Sequence, residues 1–202
     1  MSETARAIGV ARTIEAIWRI EAAKLIAHVA RMVRDVGIAE ELAQDALIAA
    51  LEHWPTAGIP DNPAAWLMTT AKRRALDHLR HHTLAAPRHA ELSVELDSQH
   101  ALAADEFSAM VDAALDDEIG DDLLRLIFTA CHPVLPASSR SALTLKVVGG
   151  LSTDEIARAY LKPEPTIAQR IVRAKRTLTA AHVPFEIPRG ADLANRLASV
   201  LE

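Results

Sequence analysis

The sequence predicts an all-α protein: two small helical domains joined by an acidic linker, the second containing a helix-turn-helix. Three observations carry this. Ala, Leu, Arg and Glu dominate, all strong helix formers, while β-branched runs are scarce. Apolar residues recur at three- and four-residue spacing through most of the chain, as one buried face of a helix requires. Charge is sharply segregated. The 202 residues carry a net charge of −5, yet Glu91 to Asp122 holds eleven acidic residues and no Lys or Arg. The remainder has 22 basic and 16 acidic residues, a net of +6. An acidic total therefore conceals two basic segments, and nucleic acid stays open as a partner.

The first helix is expected from about Ala11 to Val36, with Ile14, Ile17, Trp18, Leu25, Val29 and Val33 near helical spacing and Gly37 as its C-terminal stop. A second covers about Ala39 to Trp54, on Leu42, Ala46, Ile48, Ala49 and Leu51. The stretch WPTAGIPDNP is dense in turn formers and reads as a loop. Asn62 is the expected N-cap and Pro63 the first-turn residue of a third helix reaching about His82. From Thr83 to Gly120 no period is sustained, apart from a helix over about Asp105–Leu115. The second block starts at Asp121. DDLLRLIFTACHP is a short helix with acidic residues at its positive end, closed by Pro133 and Pro136. ASSRSALTLKVVGG is a helix ended by Gly149 and Gly150. Ser152 and Glu155 fit a capping box before DEIARAYL. KPEP is a turn, TIAQRIVRAKRTLTAAH a helix, and Pro184 and Pro188 an exit. ADLANRLASVLE opens one more amphipathic helix, and the sequence stops inside that pattern.

Leu151 to Leu178 has the form of a helix-turn-helix, whose first helix supports and whose second lies in the major groove. Its expected core is Ile156, Ala157, Tyr160, Ile167, Ile171 and Ala174; small Ala157 lets the helices cross closely. The outward face of the second helix then carries Thr166, Gln169, Arg170, Arg173 and Arg176, with Lys175 at one flank. Gln matches an adenine edge and Arg a guanine edge; other cations would meet phosphate and fix position only. The competing reading is a plain solvated helix pair. Fixed length, turn prolines and the basic second helix together favour DNA.

The first block has its own basic helix. Trp66, Thr69, Thr70 and Arg73 fall at i, i+3, i+4 and i+7 on one face, with Lys72, Arg74 and Arg80 nearby. A ring and hydroxyls beside cations suit a single strand, whose bases stack and whose phosphates seek charge. The alternative, Trp66 in the core and the cations solvated, stands at least level for this helix taken alone.

Taken together, AEELAQDALIAALEHW, NPAAWLMTTAKRRALDHLR and the helix-turn-helix ending in TIAQRIVRAKRTL resemble extracytoplasmic-function (group IV) sigma factors of bacterial RNA polymerase, over about Trp18 to Ala181. LLRLIFTACHPVLPASSRSALTLKVVGGLSTDEIARAYL is similar to a subgroup that continues into a C-terminal helical-repeat extension; FEIPRGADLANRLASVLE looks like its start, and its body is absent from this sequence. The resemblance implies a protein that binds core polymerase and directs promoter recognition and opening, without being an enzyme. It assigns residues 1–84 to polymerase binding and −10 reading, 85–120 to an acidic linker with partial helix, 121–183 to −35 reading and 184–202 to the start of the extension.

By the same resemblance, Glu41, Gln44 and Asp45 would dock on the clamp helices of the polymerase β′ subunit. Trp66, Thr69, Thr70, Lys72, Arg73 and Arg80 would belong to the helix that opens the −10 element. Thr166, Gln169, Arg170, Arg173, Lys175 and Arg176 would face the −35 duplex. The acidic linker would thread through the polymerase and imitate nucleic acid. An anti-sigma factor or the chain's own extension would be the regulator. The sequence departs from the family at Ala168, where many members carry a basic residue, and at Leu161, where they carry Gly.

Other chemistry has little support. Cys131 rules out an internal disulfide and fits a small buried residue better than a nucleophile. Cys131-His132 lacks a zinc spacing, and His78, His81 and His82 suit a phosphate-facing or solvated surface. No CxxC, HExxH or Gly-rich phosphate loop occurs, so no metal, cofactor or catalytic residue is expected. No signal-like N-terminus or apolar span occurs, and the expectation is a soluble cytoplasmic protein that does not enter membranes. Two rivals remain: a free-standing helix-turn-helix regulator that never meets polymerase, and a metal-dependent hydrolase built on helical His and Asp/Glu.

Overall fold

A computed structural model describes residues 3–85 and 120–201, and they are all helix and connecting turn, as expected. The helices are α1 (Glu3–Val33), α2 (Val36–Ala57), α3 (Pro63–Ala85), α4 (120–130), α5 (Ala137–Val147), α6 (Thr153–Ala159), α7 (Glu164–Ala180) and α8 (Ala191–Leu201). The helix expected over Asp105–Leu115 and most of the acidic linker lie outside the described residues. Among the described residues no helix is long and apolar enough to cross a membrane.

The first half is α1 to α3. Ala39, Ala43, Ala46 and Ala50 repeat at three and four residues along α2 and are fully buried. With no side chain beyond Cβ, they let α2 approach closely the buried Leu25, Ile26, Val29 and Ala30 of α1. Leu67, Ala71 and Ala75, four residues apart, bring α3 onto the same core, which Trp54 fills at one end. The Asn62 cap forms as expected, its Oδ1 accepting from the Ala65 N–H at 3.0 Å.

Several boundaries differ from expectation: α1 starts at Glu3 and not near Ala11, and α7 starts at Glu164, inside the expected KPEP turn. Gly37 does not stop α1. That role falls to Arg34, left-handed at φ 59°, whose N–H still bonds the Ala30 carbonyl at 2.8 Å. Asp35 then caps α2, its Oδ1 accepting from the Ile38 N–H at 2.9 Å, and Gly37 lies inside the first turn. A capping side chain outweighed the C-terminal signal of Gly. Likewise α2 runs past Trp54 through Pro55 to Ala57, and the Gly58 N–H closes it on the Trp54 carbonyl at 2.9 Å.

The second half is α4 to α7, with α8 docked behind it through a hydrogen bond from Arg196 to the Phe128 carbonyl at 3.0 Å. The expected capping box is present: Ser152 Oγ accepts from the Glu155 N–H at 3.1 Å, and Glu155 Oε2 from the Ser152 N–H at 2.8 Å. Ile156, Ala157, Ile167, Ile171 and Ala174 are buried between α6 and α7, with Tyr160 partly so. Buried side chains of both halves form one continuous core, from Ile14 and Leu25 through Leu126 and Leu143 to Leu178.

Candidate nucleic-acid interface

The α7 helix is set by its two faces. Ile167, Ile171, Ala174 and Leu178 turn inward at three- and four-residue spacing. Thr166, Gln169, Arg173 and Arg176 therefore turn outward, and all four are exposed. Arg173 and Gln169 lie side by side, Nη2 to Oε1 at 3.5 Å. Arg170 is half-buried, its guanidinium 5.8 Å from the Tyr160 ring centre, a cation–π arrangement that steadies it beside the exposed stripe. Lys175 differs from its neighbours: its ammonium pairs with the buried carboxylate of Glu40 on α2. Five of the six residues expected to meet the −35 duplex thus lie on or beside one open face, while the sixth points at the first half.

The α3 helix presents its residues as spaced. Trp66, Thr69, Thr70 and Arg73 line a surface cavity of about 500 Å³ together with Arg74 and Asp77. Thr69 and Arg73 are exposed; Trp66 and Thr70 are half-buried. Thr70 Oγ1 donates to the Trp66 carbonyl at 2.8 Å, which fixes its rotamer. Trp66 packs edge-on against buried Trp54, ring centres 5.3 Å apart, which anchors the indole. Lys72 is half-buried, and Arg80 is exposed beside Asp77 at 3.3 Å.

Sequence reasoning passed over His53. Its ring lies nearly parallel to that of Trp66, with centres 6.2 Å apart. They lie thirteen positions apart across a loop, and no spacing rule joins them. Glu40 was also missed, and only its burial reveals it.

The polymerase-facing expectations fall on the opposite side of α2 from its alanine stripe. Glu41 is exposed, and Gln44 and Asp45 are half-buried. Gln44 Nε2 donates to Glu40 Oε1 at 2.6 Å, and Asp45 pairs with Arg74 of α3 at 3.6 Å. The α2 and α3 surfaces are therefore linked by charge.

Among the described residues, no three or more His, Cys, Asp or Glu side chains gather as a metal site. Cys131 is buried, its Sγ 3.3 Å from Thr144 Oγ1. His132 keeps a pKa below its ordinary value, chiefly through burial and then through the nearby Arg196 charge, and its Nδ1 accepts from the Val134 N–H at 3.1 Å. These are the bonds of a structural turn.

Comparison with known proteins agrees with this geometry. Residues 18–84 match Sigma-70 region 2, and residues 125–178 match Sigma-70 region 4. The first match spans α2 and α3; the second ends with the α7 stripe. An uncharacterized protein of Rhizobium meliloti is 42% identical over 84% of this chain, which spans only 39% of that relative's length. A probable ECF RNA polymerase sigma factor, SigI of Mycobacterium tuberculosis, is 26% identical over 86% of this chain and 57% of its own. The ECF RNA polymerase sigma factor SigK of Mycobacterium ulcerans is 32% identical over 74% of this chain and 75% of its own length. With both sigma regions present in order, and such a relative matched over three quarters of its length, the chain belongs to the ECF family of RNA polymerase sigma factors.

Proposed function

We propose that this chain binds core RNA polymerase through α2, opens the −10 element with α3 and reads the −35 element with α7. The observation that carries this reading is the pair of exposed cationic faces, Thr69 with Arg73 on α3 and Gln169 with Arg173 and Arg176 on α7, each inside its own sigma region. Glu41, Gln44 and Asp45 supply acid and amide groups to a basic helical surface, the β′ clamp helices. Trp66, held by Trp54 and stacked with His53, lines the same cavity as Thr70 and Arg73, where a base could add to the ring stack. Extruding a base costs a few kcal/mol, which stacking and phosphate contacts offset.

In domain terms, residues 1–84 dock and open, 121–183 read the −35 duplex, and the acidic 85–120 stretch connects them. Residues 184–202 begin a C-terminal extension, in keeping with the greater length of the Rhizobium relative. Regulation falls to that extension or to an anti-sigma factor, and the work is done in the cytoplasm with no chemistry of the chain's own.

The test is co-elution of the purified chain with sigma-free core polymerase on a sizing column. A complex that disappears in Gln44→Ala/Asp45→Ala supports the reading and locates the docking helix. Failure to form a complex, with tight duplex DNA binding by the chain alone, would instead identify a free-standing helix-turn-helix regulator.

A further inference from the structure

The outward surface of α7 is divided lengthwise. Thr166, Arg170 and Arg173, at i, i+4 and i+7, form a polar edge. Gln169 and Arg176, seven residues apart, run along the middle, and Gln169 Oε1 lies 3.5 Å from Arg173 Nη2. Pro165, Ala168 and Val172, at i, i+3 and i+7, form the other edge, and none of them has a charged or hydrogen-bonding side chain. Pro165 is exposed and Ala168 half-buried. Val172 is 43% exposed and stands outside the buried row of Ile167, Ile171, Ala174 and Leu178.

A valine set among Gln169, Arg173 and Arg176 is too small and too interrupted to seat a protein partner, which needs a contiguous apolar patch. Its neighbours are the side chains placed against the −35 duplex, so it enters the groove with them. There it can neither pair with phosphate nor bond to a base donor or acceptor. Base pairs present one apolar group in the major groove, the C5 methyl of thymine. Bringing Val172 against that methyl removes two apolar surfaces from water at once, whereas cytosine has no methyl and offers a polar amine. Ala168 lies one turn before Val172, where members of the resembled family carry a basic residue. Its short side chain leaves the approach to Val172 open and this edge of the helix uncharged.

We propose that Val172 is a specificity-determining residue for the −35 element, reading the C5 methyl of a thymine while Gln169 and Arg173 read hydrogen-bonding edges. The proposal rests on the reading of α7 given above and adds a contact that its polar residues do not make. Val172 is three residues from Gln169 and one from Arg173, so the thymine lies beside the base pairs those two meet. The site this chain prefers therefore contains a T·A pair whose identity is set by shape and hydrophobicity and not by hydrogen bonds.

The test uses the chain bound to core RNA polymerase. The preferred −35 sequence is selected from duplexes randomised at those positions. Each thymine in it is then replaced singly by deoxyuridine, which keeps every hydrogen-bonding group and lacks only the methyl. Wild type should lose about fourfold in affinity at one thymine, as removal of one buried methyl group does. Val172→Ala puts the best helix former at an exposed helical position, so the fold is kept, and circular dichroism checks it. This variant should bind the thymine duplex about fourfold more weakly than wild type and no longer distinguish thymine from deoxyuridine at that position, with preferences at the other base pairs unchanged. Val172→Ile, which keeps the apolar surface, should keep the discrimination. A selected site without thymine, or no deoxyuridine effect at any thymine of a site that wild type does select, would overturn the proposal. So would a deoxyuridine effect that persists undiminished in Val172→Ala, which would pass the methyl contact to another side chain. A wild-type complex with no base preference in the −35 region at all would sink the reading of α7 itself, and the methyl contact with it.

Discussion

Arg173 is the side chain on which the reading of α7 can be tested most directly. It is exposed and lies beside Gln169. Arg173→Ala should weaken recognition of the −35 element by about 1–3 kcal/mol and relax preference at one base pair, as loss of a bidentate base contact does. Binding to duplexes substituted at each −35 position checks it; a uniform loss across all sequences would reassign Arg173 to phosphate. Lys175 shows how far spacing alone can read such a face. It is one residue from Arg176 and equally basic, and the sequence placed it at the flank of the stripe. What the sequence did not contain was its partner, 135 positions earlier in the chain, because the burial of Glu40 depends on how two halves meet. The same holds for His53 beside Trp66, where the ring pair is made by the turn between α2 and α3.

At the scale of elements, the helices were legible wherever the apolar period and a cap agreed. Asn62, Ser152 with Glu155, and the Ala174 face of α7 all behave as read. Boundaries went wrong where two local signals competed, as at Asp35 against Gly37. Leu161 shows another such conflict. It sits in the helix-turn-helix turn at φ 51° and is 90% exposed, a left-handed position where the resembled family carries Gly. The strain of a side chain there, roughly 1–2 kcal/mol, exceeds the entropy cost of Gly, roughly 0.5–1 kcal/mol. Leu161→Gly should therefore raise stability by up to about 1 kcal/mol, read from denaturant midpoints, with promoter preference unchanged. Ser152→Ala should do the reverse, costing about 1 kcal/mol by removing the side-chain half of the cap.

For the whole molecule, the contact between Arg19 of α1 and Glu155 of α6 links the two halves to acidity. The Glu155 carboxyl is held below its ordinary range of 4.5, first by the Ser152 backbone N–H, then by the Ser152 hydroxyl and Arg19, against an opposing effect of burial. A carboxyl whose pKa is lowered on folding contributes stability that is present above its unfolded pKa. That contribution disappears as pH falls through the folded value, because the protonated acid no longer attracts its donors. The Arg19 share of the effect crosses the seam, whereas the Ser152 share stays within α6. Arg19→Met should accordingly be less stable than wild type at neutral pH. The difference in melting temperature should shrink as pH is lowered through the acid range, and the capping share should leave some acid sensitivity in the variant. Thermal denaturation of both proteins across that range tests this. A gap that stays constant down to full protonation would mean that Arg19 acts through packing of its aliphatic stem and not through its charge on Glu155.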